Sequence, residues 1–335
     1  MRFGPVLAGL AVVASLTAAW PADVQERHAC SPTVTLEGFS DALDMKTYRG
    51  EFVGNLSALA VDRDGSLAAL SDRSFLFRLD RRTLTPTSVV PLADESGARL
   101  DSEGLAVDRD GSRLITSEIE PSVRRYDPDG RLLGRLPVPD MLWAAPAGRA
   151  RPNGTFEGLT LLPDGHTLLA SMEYPLTGDP ADTVRFQTWE RRADSFSLAA
   201  QYAYRTDPGL GVAEVQGIGH GRLLVLERAF TTGVGDTVRL YLAGLRHATD
   251  VSGIAWLTGR PGVRPVGKTL LADIASCPSL GATAKQPQPN PVLDNIEGMA
   301  VTGRDHGTLR VTLVSDDNQN AAQTTRFYFL RLRIG

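Results

Sequence analysis

The sequence predicts an all-β fold, a single β-propeller of six four-stranded blades whose ring is closed by strands from the two ends of the chain. Three observations predict it. A short motif, a polar residue followed by a small residue and an apolar strand, recurs along the chain. In its first three copies an Asp-Gly turn follows seven residues later, from 57 to 64, 103 to 110 and 157 to 164. Outside the first twenty residues no segment of useful length has helical periodicity. Repeats of roughly 40 to 50 residues rich in short strands are the signature of propeller blades.

The chain opens with MRFGPVLAGLAVVASLTAAW: one early charge at Arg2, an apolar run from Val6 to Leu16, then small residues. This is the layout of a secretory signal peptide over residues 1–19, extending at most to about 22, with Thr17 and Ala19 at the −3 and −1 positions of cleavage. The apolar run is short of the roughly 20 residues that a membrane span requires. The expectation is therefore an exported, extracytoplasmic bacterial protein with no transmembrane segment after cleavage and a folded domain over 30–335. Two cysteines follow the leader, Cys30 and Cys277. In an oxidising compartment they suit a disulfide tying the start of the domain to a late loop, with two free thiols as the alternative.

The motif copies read Leu56-Ser57-Ala58-Leu59, Ser102-Glu103-Gly104-Leu105, Phe156-Glu157-Gly158-Leu159, Val215-Gln216-Gly217-Ile218 and Ile296-Glu297-Gly298-Met299, with a weaker one at Val251-Ser252-Gly253-Ile254. From 57 to 297 they are spaced 46, 54, 59, 36 and 45 residues apart, which gives six blades. Third strands are expected at Phe75–Leu79, Val123–Tyr126, Phe186–Glu190, Val238–Leu242 and Phe327–Leu332. Residues Pro261 to Pro291 read partly as ordered loop, and Val34–Leu36 supplies a strand that closes the ring and removes exposed edges.

Composition narrows the function. The 335 residues carry 39 acids against 35 bases, a net charge of −4, with 42% apolar residues. A folded core is expected, and the absence of any basic run argues against a nucleic-acid partner. No GxSxG elbow, P-loop, HExxH or dinucleotide fingerprint occurs. The five histidines are scattered, which disfavours zinc.

In a blade the start of the first strand and the end of the second lie at the same mouth of the channel. Strand starts carry Asp101, Glu103, Glu157, Gln216 and Glu297; strand ends carry Asp72-Arg73, Glu118, Glu173, Glu227-Arg228 and Asp316-Asp317-Asn318. Converging carboxylates repel unless a cation, an arginine or shared protons offset them. Hard oxygen ligands suit Ca²⁺. The expected roles are metal ligation by Glu103, Glu157, Glu297 and Asp316, general base catalysis by Glu118, Glu173 or Glu227, and substrate binding by Arg73, Arg228 and Asn318. A different role stays open for any one Glu before Gly-Leu: it can accept backbone N–H bonds and fix the turn between blades. Asp110, Asp129 and Asp164 sit in Asp-Gly turns and are turn residues.

Taken in order, Asn55-Leu56-Ser57-Ala58-Leu59 with Ser71-Asp72-Arg73, Asp101 to Ala106 with Ser117-Glu118, Phe156 to Leu159 with Glu173-Tyr174-Pro175-Leu176, Leu226-Glu227-Arg228, and Asn295 to Met299 with Ser315 to Asn318 make the chain resemble the family called "esterase-like activity of phytase". The resemblance runs from about Glu51 to Arg333. It implies a propeller and hydrolysis of phosphoesters or carboxylesters. Ser57, Gln216 and the run Ser117-Glu118-Ile119-Glu120 depart from a ring of identical ligands. The expected function is a secreted hydrolase of a small anionic or ester substrate, monomeric, working through metal and carboxylates. The alternatives are a non-catalytic Ca²⁺-binding propeller and a metal-dependent lactonase.

Overall fold

The computed structural model describes residues 27–335, so the expected signal peptide lies outside the described residues. Strand pairing defines five four-stranded antiparallel sheets. Blade 1 comprises Leu56–Val61, Leu67–Ser71, Phe75–Leu79 and Pro86–Pro91; blade 2 comprises Ser102–Val107, Arg113–Ser117, Ser122–Tyr126 and Leu132–Arg135. Blade 3 comprises Phe156–Leu161, Thr167–Met172, Thr183–Arg192 and Ser195–Arg205; blade 4 comprises Gly211–Gly219, Arg222–Thr231, Gly235–Gly244 and Gly267–Asp273. Blade 5 takes Ile296–Asp305, Thr308–Ser315 and Phe327–Arg333 from the end of the chain and Val34–Ser40 from its beginning, as its outermost strand. The first strands of successive blades pack side by side and return to blade 1, which closes the ring.

The turns follow from their residues. Gly65, Gly111 and Gly165 have φ of +82°, +89° and +69°, a conformation that glycine adopts without Cβ strain. The aspartates before them stay local: Asp110 Oδ1 accepts from Ser112 N at 2.9 Å and Asp164 Oδ1 from Thr167 N at 2.9 Å. The core lies between blade faces, where Phe186 stacks on Tyr204 at 4.8 Å and Phe156 meets Trp189 edge-on. Each such side chain contributes roughly 1.5 to 3 kcal/mol on burial. Cys30 and Cys277 form a disulfide that ties the closing strand to the loop after blade 4. No helix among the described residues is long and apolar enough to cross a membrane.

The propeller is as expected, but it has five blades where six were expected. All five expected third strands are third strands of blades, and Val34–Leu36 lies in the closing strand. The weak copy at Val251-Ser252-Gly253 starts no blade. It lies in an insertion between the third and fourth strands of blade 4 and packs along the outer edge of blade 3, where Val251 N donates to Gln201 O at 2.8 Å and Val266 N to Ala203 O at 2.8 Å. Ser252 and Gly253 are exposed and in no strand. Residues 261–291 hold, besides loop, the fourth strand of blade 4.

Candidate functional site

Each inner strand begins with the same irregularity. Residues Leu56 to Leu59, Ser102 to Leu105, Phe156 to Leu159, Val212 to Val215 and Ile296 to Met299 all place one extra residue against the second strand. Such bulges re-aim side chains at sheet rims. Aligning the blades on this bulge gives two rings of positions at one channel mouth. The first ring is Ser57, Glu103, Glu157, Ala213 and Glu297. The second, at the ends of the second strands, is Asp72, Glu118, Glu173, Arg228 and Asp316.

Blade 4 is therefore read three residues earlier than its Gln216-Gly217 motif suggests. Gln216 and Gly217 lie further along the same nine-residue strand and line the opposite cavity, with Thr160 and Arg304. The true counterpart of the motif glycine is Glu214.

The ring residues other than Ser57 and Ala213, with Asp101, Arg151, Asn153, Tyr174 and Asn318, enclose a polar cavity of about 340 Å³. Eight carboxylates line it (Asp72, Asp101, Glu103, Glu118, Glu157, Glu173, Glu297 and Asp316) against the guanidinium groups of Arg151 and Arg228. Of the residues expected at the site, Glu103, Glu118, Glu157, Glu173, Arg228, Glu297, Asp316 and Asn318 are brought together here.

Two are placed elsewhere, Glu227 and Arg73, and for Glu227 strand alternation is the reason, since neighbouring residues of a strand point to opposite faces. Arg228 faces the mouth, so Glu227 turns into the body of blade 4. There its carboxylate accepts from Tyr204 Oη at 2.6 Å, Lys268 Nζ at 2.6 Å and Asp207 N at 2.8 Å, fully buried. Asp72 and Arg73 lie in the turn that follows Leu67–Ser71; Asp72 faces the mouth and Arg73 turns outward into a neighbouring cleft with Asn55, Phe75 and Arg99, its Nε 3.6 Å from Asp72 Oδ1. Arg151, Asn153 and Tyr174 join the site without having been expected in it. They come from the loop before blade 3 and from the residue after Glu173, and Arg151 stacks over the Tyr174 ring at 4.7 Å.

Carboxylate oxygens of Asp101, Glu103 and Glu118 lie within 4.8 Å of one another, as do those of Glu118, Glu157 and Glu173. Glu118 belongs to both groups. It is 5% exposed, and its buried Oε1 has no hydrogen-bond partner. On the opposite wall Arg228 Nη2 meets Glu297 Oε1 at 2.6 Å and lies 3.9 Å from Glu173 Oε1; Asn295 Nδ2 also donates to Glu297 Oε1 at 2.9 Å.

Crowding and burial shape the titration. Burial and then Glu173 and Asp101 push Glu118 up to about 8; burial raises Asp72 to about 7. Glu103 and Glu157 are held well above the usual range, first by burial and then by Glu297 for Glu103 and by Glu103 for Glu157. Glu173 and Glu297 are also raised by burial, with Arg228 pulling against the shift. Burial opposes the Arg228 cation, but Glu297, Glu173 and Glu157 outweigh it and raise its pKa.

The donor set is all oxygen, with no histidine or cysteine in the lining. It fits a hard divalent cation, and Glu118 Oε1, buried without a hydrogen-bond partner, is an oxygen that such an ion would satisfy.

The fold and this mouth together define a five-bladed propeller with an acidic channel site. The chain belongs to the phytase-like family described as esterase-like activity of phytase, whose model matches residues 51–319. No curated protein matches the chain. Among solved structures it is similar to the RRP9 WD40 repeats (TM-score 0.40, 11% identity, covering 89% of this chain and 83% of that one) and to U3-55K (0.40, 10%, 86% and 83%). A protein of unknown function from Bacteroides caccae is also similar (0.35, 12%, 76% and 68%). These likenesses are weak, and the fold assignment rests on the strand pairing itself.

Proposed function

We propose that the acidic mouth is a Ca²⁺-dependent hydrolytic site for phosphate or other esters. The observation that carries this reading is Glu118, whose buried, unpartnered Oε1 belongs to a carboxylate shared by two clusters of ligating oxygens. Glu118 would hold the ion, shared with Asp101 and Glu103 of the one group or with Glu157 of the other, and Glu173 would flank it. Glu297, tied to Arg228, would orient that guanidinium rather than ligate, and Asp316 would lie on the far wall. A bound divalent cation supplies Lewis-acid polarisation of a phosphoryl or acyl oxygen and lowers the pKa of water. Arg228 and Arg151 attract the anionic group of the substrate, as guanidinium suits phosphate. Glu173, hydrogen-bonded by Tyr174, takes the proton from the attacking water and returns it to the departing alcohol.

A second reading is a non-catalytic binding propeller in which the ion is structural. It is favoured by a lining without serine, threonine, cysteine or histidine among the described residues. A substrate screen separates the two: phosphate esters, acyl esters and lactones, each with Ca²⁺ and with chelator. The first reading expects Ca²⁺-dependent turnover, lost in Glu157→Gln while the fold survives. No turnover on any class in either condition overturns it. Lactone turnover alone would move the substrate class and keep the site.

The leader-like N-terminus and the disulfide support export. Amino-terminal sequencing of protein from the extracytoplasmic fraction should begin near residue 20, and an intact residue 1 overturns this.

A further inference from the structure

Four blades carry glycine or alanine at the bulge of the inner strand: Ala58, Gly104, Gly158 and Gly298. The space there is tight. A Cβ on Gly158 would lie 2.5 Å from Val215 N and 2.7 Å from Glu214 Oε1. Blade 4 alone places a large side chain at this position, and that side chain is Glu214, 2% exposed. Its Oε1 accepts from Leu159 N at 3.1 Å and from Val215 N at 2.9 Å, and its carboxyl also accepts from Met299 N. These three amides are equivalent: each follows the bulge residue of its blade, in blades 3, 4 and 5. Leu159 and Met299 stand two residues after Glu157 and Glu297. Leu159 lines the opposite cavity while Glu157 lines the acidic one, so the Glu214 carboxyl sits on the axis between the two mouths.

We propose that Glu214 is the positioning residue of the acidic mouth: by gripping three equivalent backbone amides it sets the height at which Glu157 and Glu297 present their carboxylates and closes the channel floor beneath them. The role extends the reading of that mouth as a cation site and rests on it. Glu214 touches neither ion nor substrate and acts through the backbone of its neighbours. The role that the sequence leaves open for a motif glutamate, accepting backbone N–H bonds between blades, is filled by this residue outside the motif.

The test compares Glu214→Ala and Glu214→Gln with Glu227→Gln, an equally buried change in the same blade but outside the mouth. Hydrogen exchange by mass spectrometry should quicken in 156–161 and 296–301 in both Glu214 variants and stay unchanged in 102–107. Calorimetric titration with CaCl₂ should show affinity about 10-fold weaker or more, the usual cost of losing support behind a ligand. Glu227→Gln should lower Tm while leaving both readouts at wild-type values. Should Glu214→Ala fail to fold, Glu214→Gln, which keeps one acceptor oxygen, carries the comparison. Wild-type exchange in 156–161 and 296–301 of the Glu214 variants overturns the proposal. Absence of Ca²⁺ binding by the wild type overturns the cation site instead, and the exchange comparison still decides the positioning role.

Discussion

Arg228 and Glu297 meet at 2.6 Å across the boundary between blades 4 and 5, and they occupy different rings of the mouth. Arg228 stands where the other blades place Asp72, Glu118, Glu173 and Asp316, so one cation replaces the carboxylate expected from symmetry. It faces the most crowded part of the cavity, with Glu173 and Glu157 also raising its pKa.

Removing one partner of such a buried pair leaves the other charge uncompensated, at a cost of roughly 3 to 5 kcal/mol. Arg228→Gln should destabilise the protein by that order in urea unfolding at pH 8. The double variant Arg228→Gln/Glu297→Gln should regain a large part of the loss. A double variant no more stable than Arg228→Gln alone would mean that the pair does not carry the effect.

Glu118 has the opposite problem, an unpartnered oxygen among like charges. In chelator, Glu118→Gln should be more stable than wild type by on the order of 1 kcal/mol, a shift of about 2 °C in a chain of this size. With CaCl₂ the order should reverse. An ion at 100 times its Kd stabilises the wild type by about 2.7 kcal/mol, and the variant should lose most of that. Thermal melts with and without Ca²⁺ give all four values.

Much of the mouth was legible because Glu103, Glu157 and Glu297 precede a small residue at a bulge, and the bulge writes itself as Glu-Gly-Leu or Glu-Gly-Met. Blade 4 hid its register. Val212-Ala213-Glu214-Val215 lacks the motif, whereas Gln216-Gly217-Ile218 imitates it on the same strand, and only pairing with Leu224 to Glu227 tells them apart. Period-two alternation, visible in the sequence, would have separated Arg228 from Glu227, whereas Asp72 and Arg73 lie in a turn where no such period applies. Arg151 and Asn153 sit in an aperiodic loop with no local signal. The sixth blade failed for a long-range reason: Val251 is held by the edge of blade 3, a contact that no spacing encodes.

The disulfide and the closing strand form one device. Cys30 stands just before Val34–Ser40, which pairs with Phe327–Arg333 and brings the two ends of the chain together. Replacing Cys30 and Cys277 by serine should lower stability by about 2 to 5 kcal/mol. Hydrogen exchange should rise first in 34–40, while the inner strand 102–107 keeps its protection. Equal loosening of both segments would show that the bond does not act on the closure.

The raised carboxylates also set a pH dependence. A carboxyl whose pKa is higher in the folded state than in the unfolded chain makes the folded state bind more protons over the interval between the two values, so stability falls as pH rises through it. For Glu118, from 4.5 to about 8, and Asp72, from 3.8 to about 7, that interval spans weakly acidic to weakly basic pH. In chelator, Tm should therefore decline from about pH 5.5 to 8. Glu118→Gln should flatten the decline, because its amide cannot titrate. A bound cation favours the same carboxylates in their ionised form, so Ca²⁺ should bind more tightly at pH 8 than at pH 6 and release protons as it binds. Titrations in two buffers of different ionisation enthalpy count those protons. A chelated protein whose Tm rises from pH 5.5 to 8, with no proton release on Ca²⁺ addition, would show that the carboxylates of the mouth are already ionised and paired without the ion.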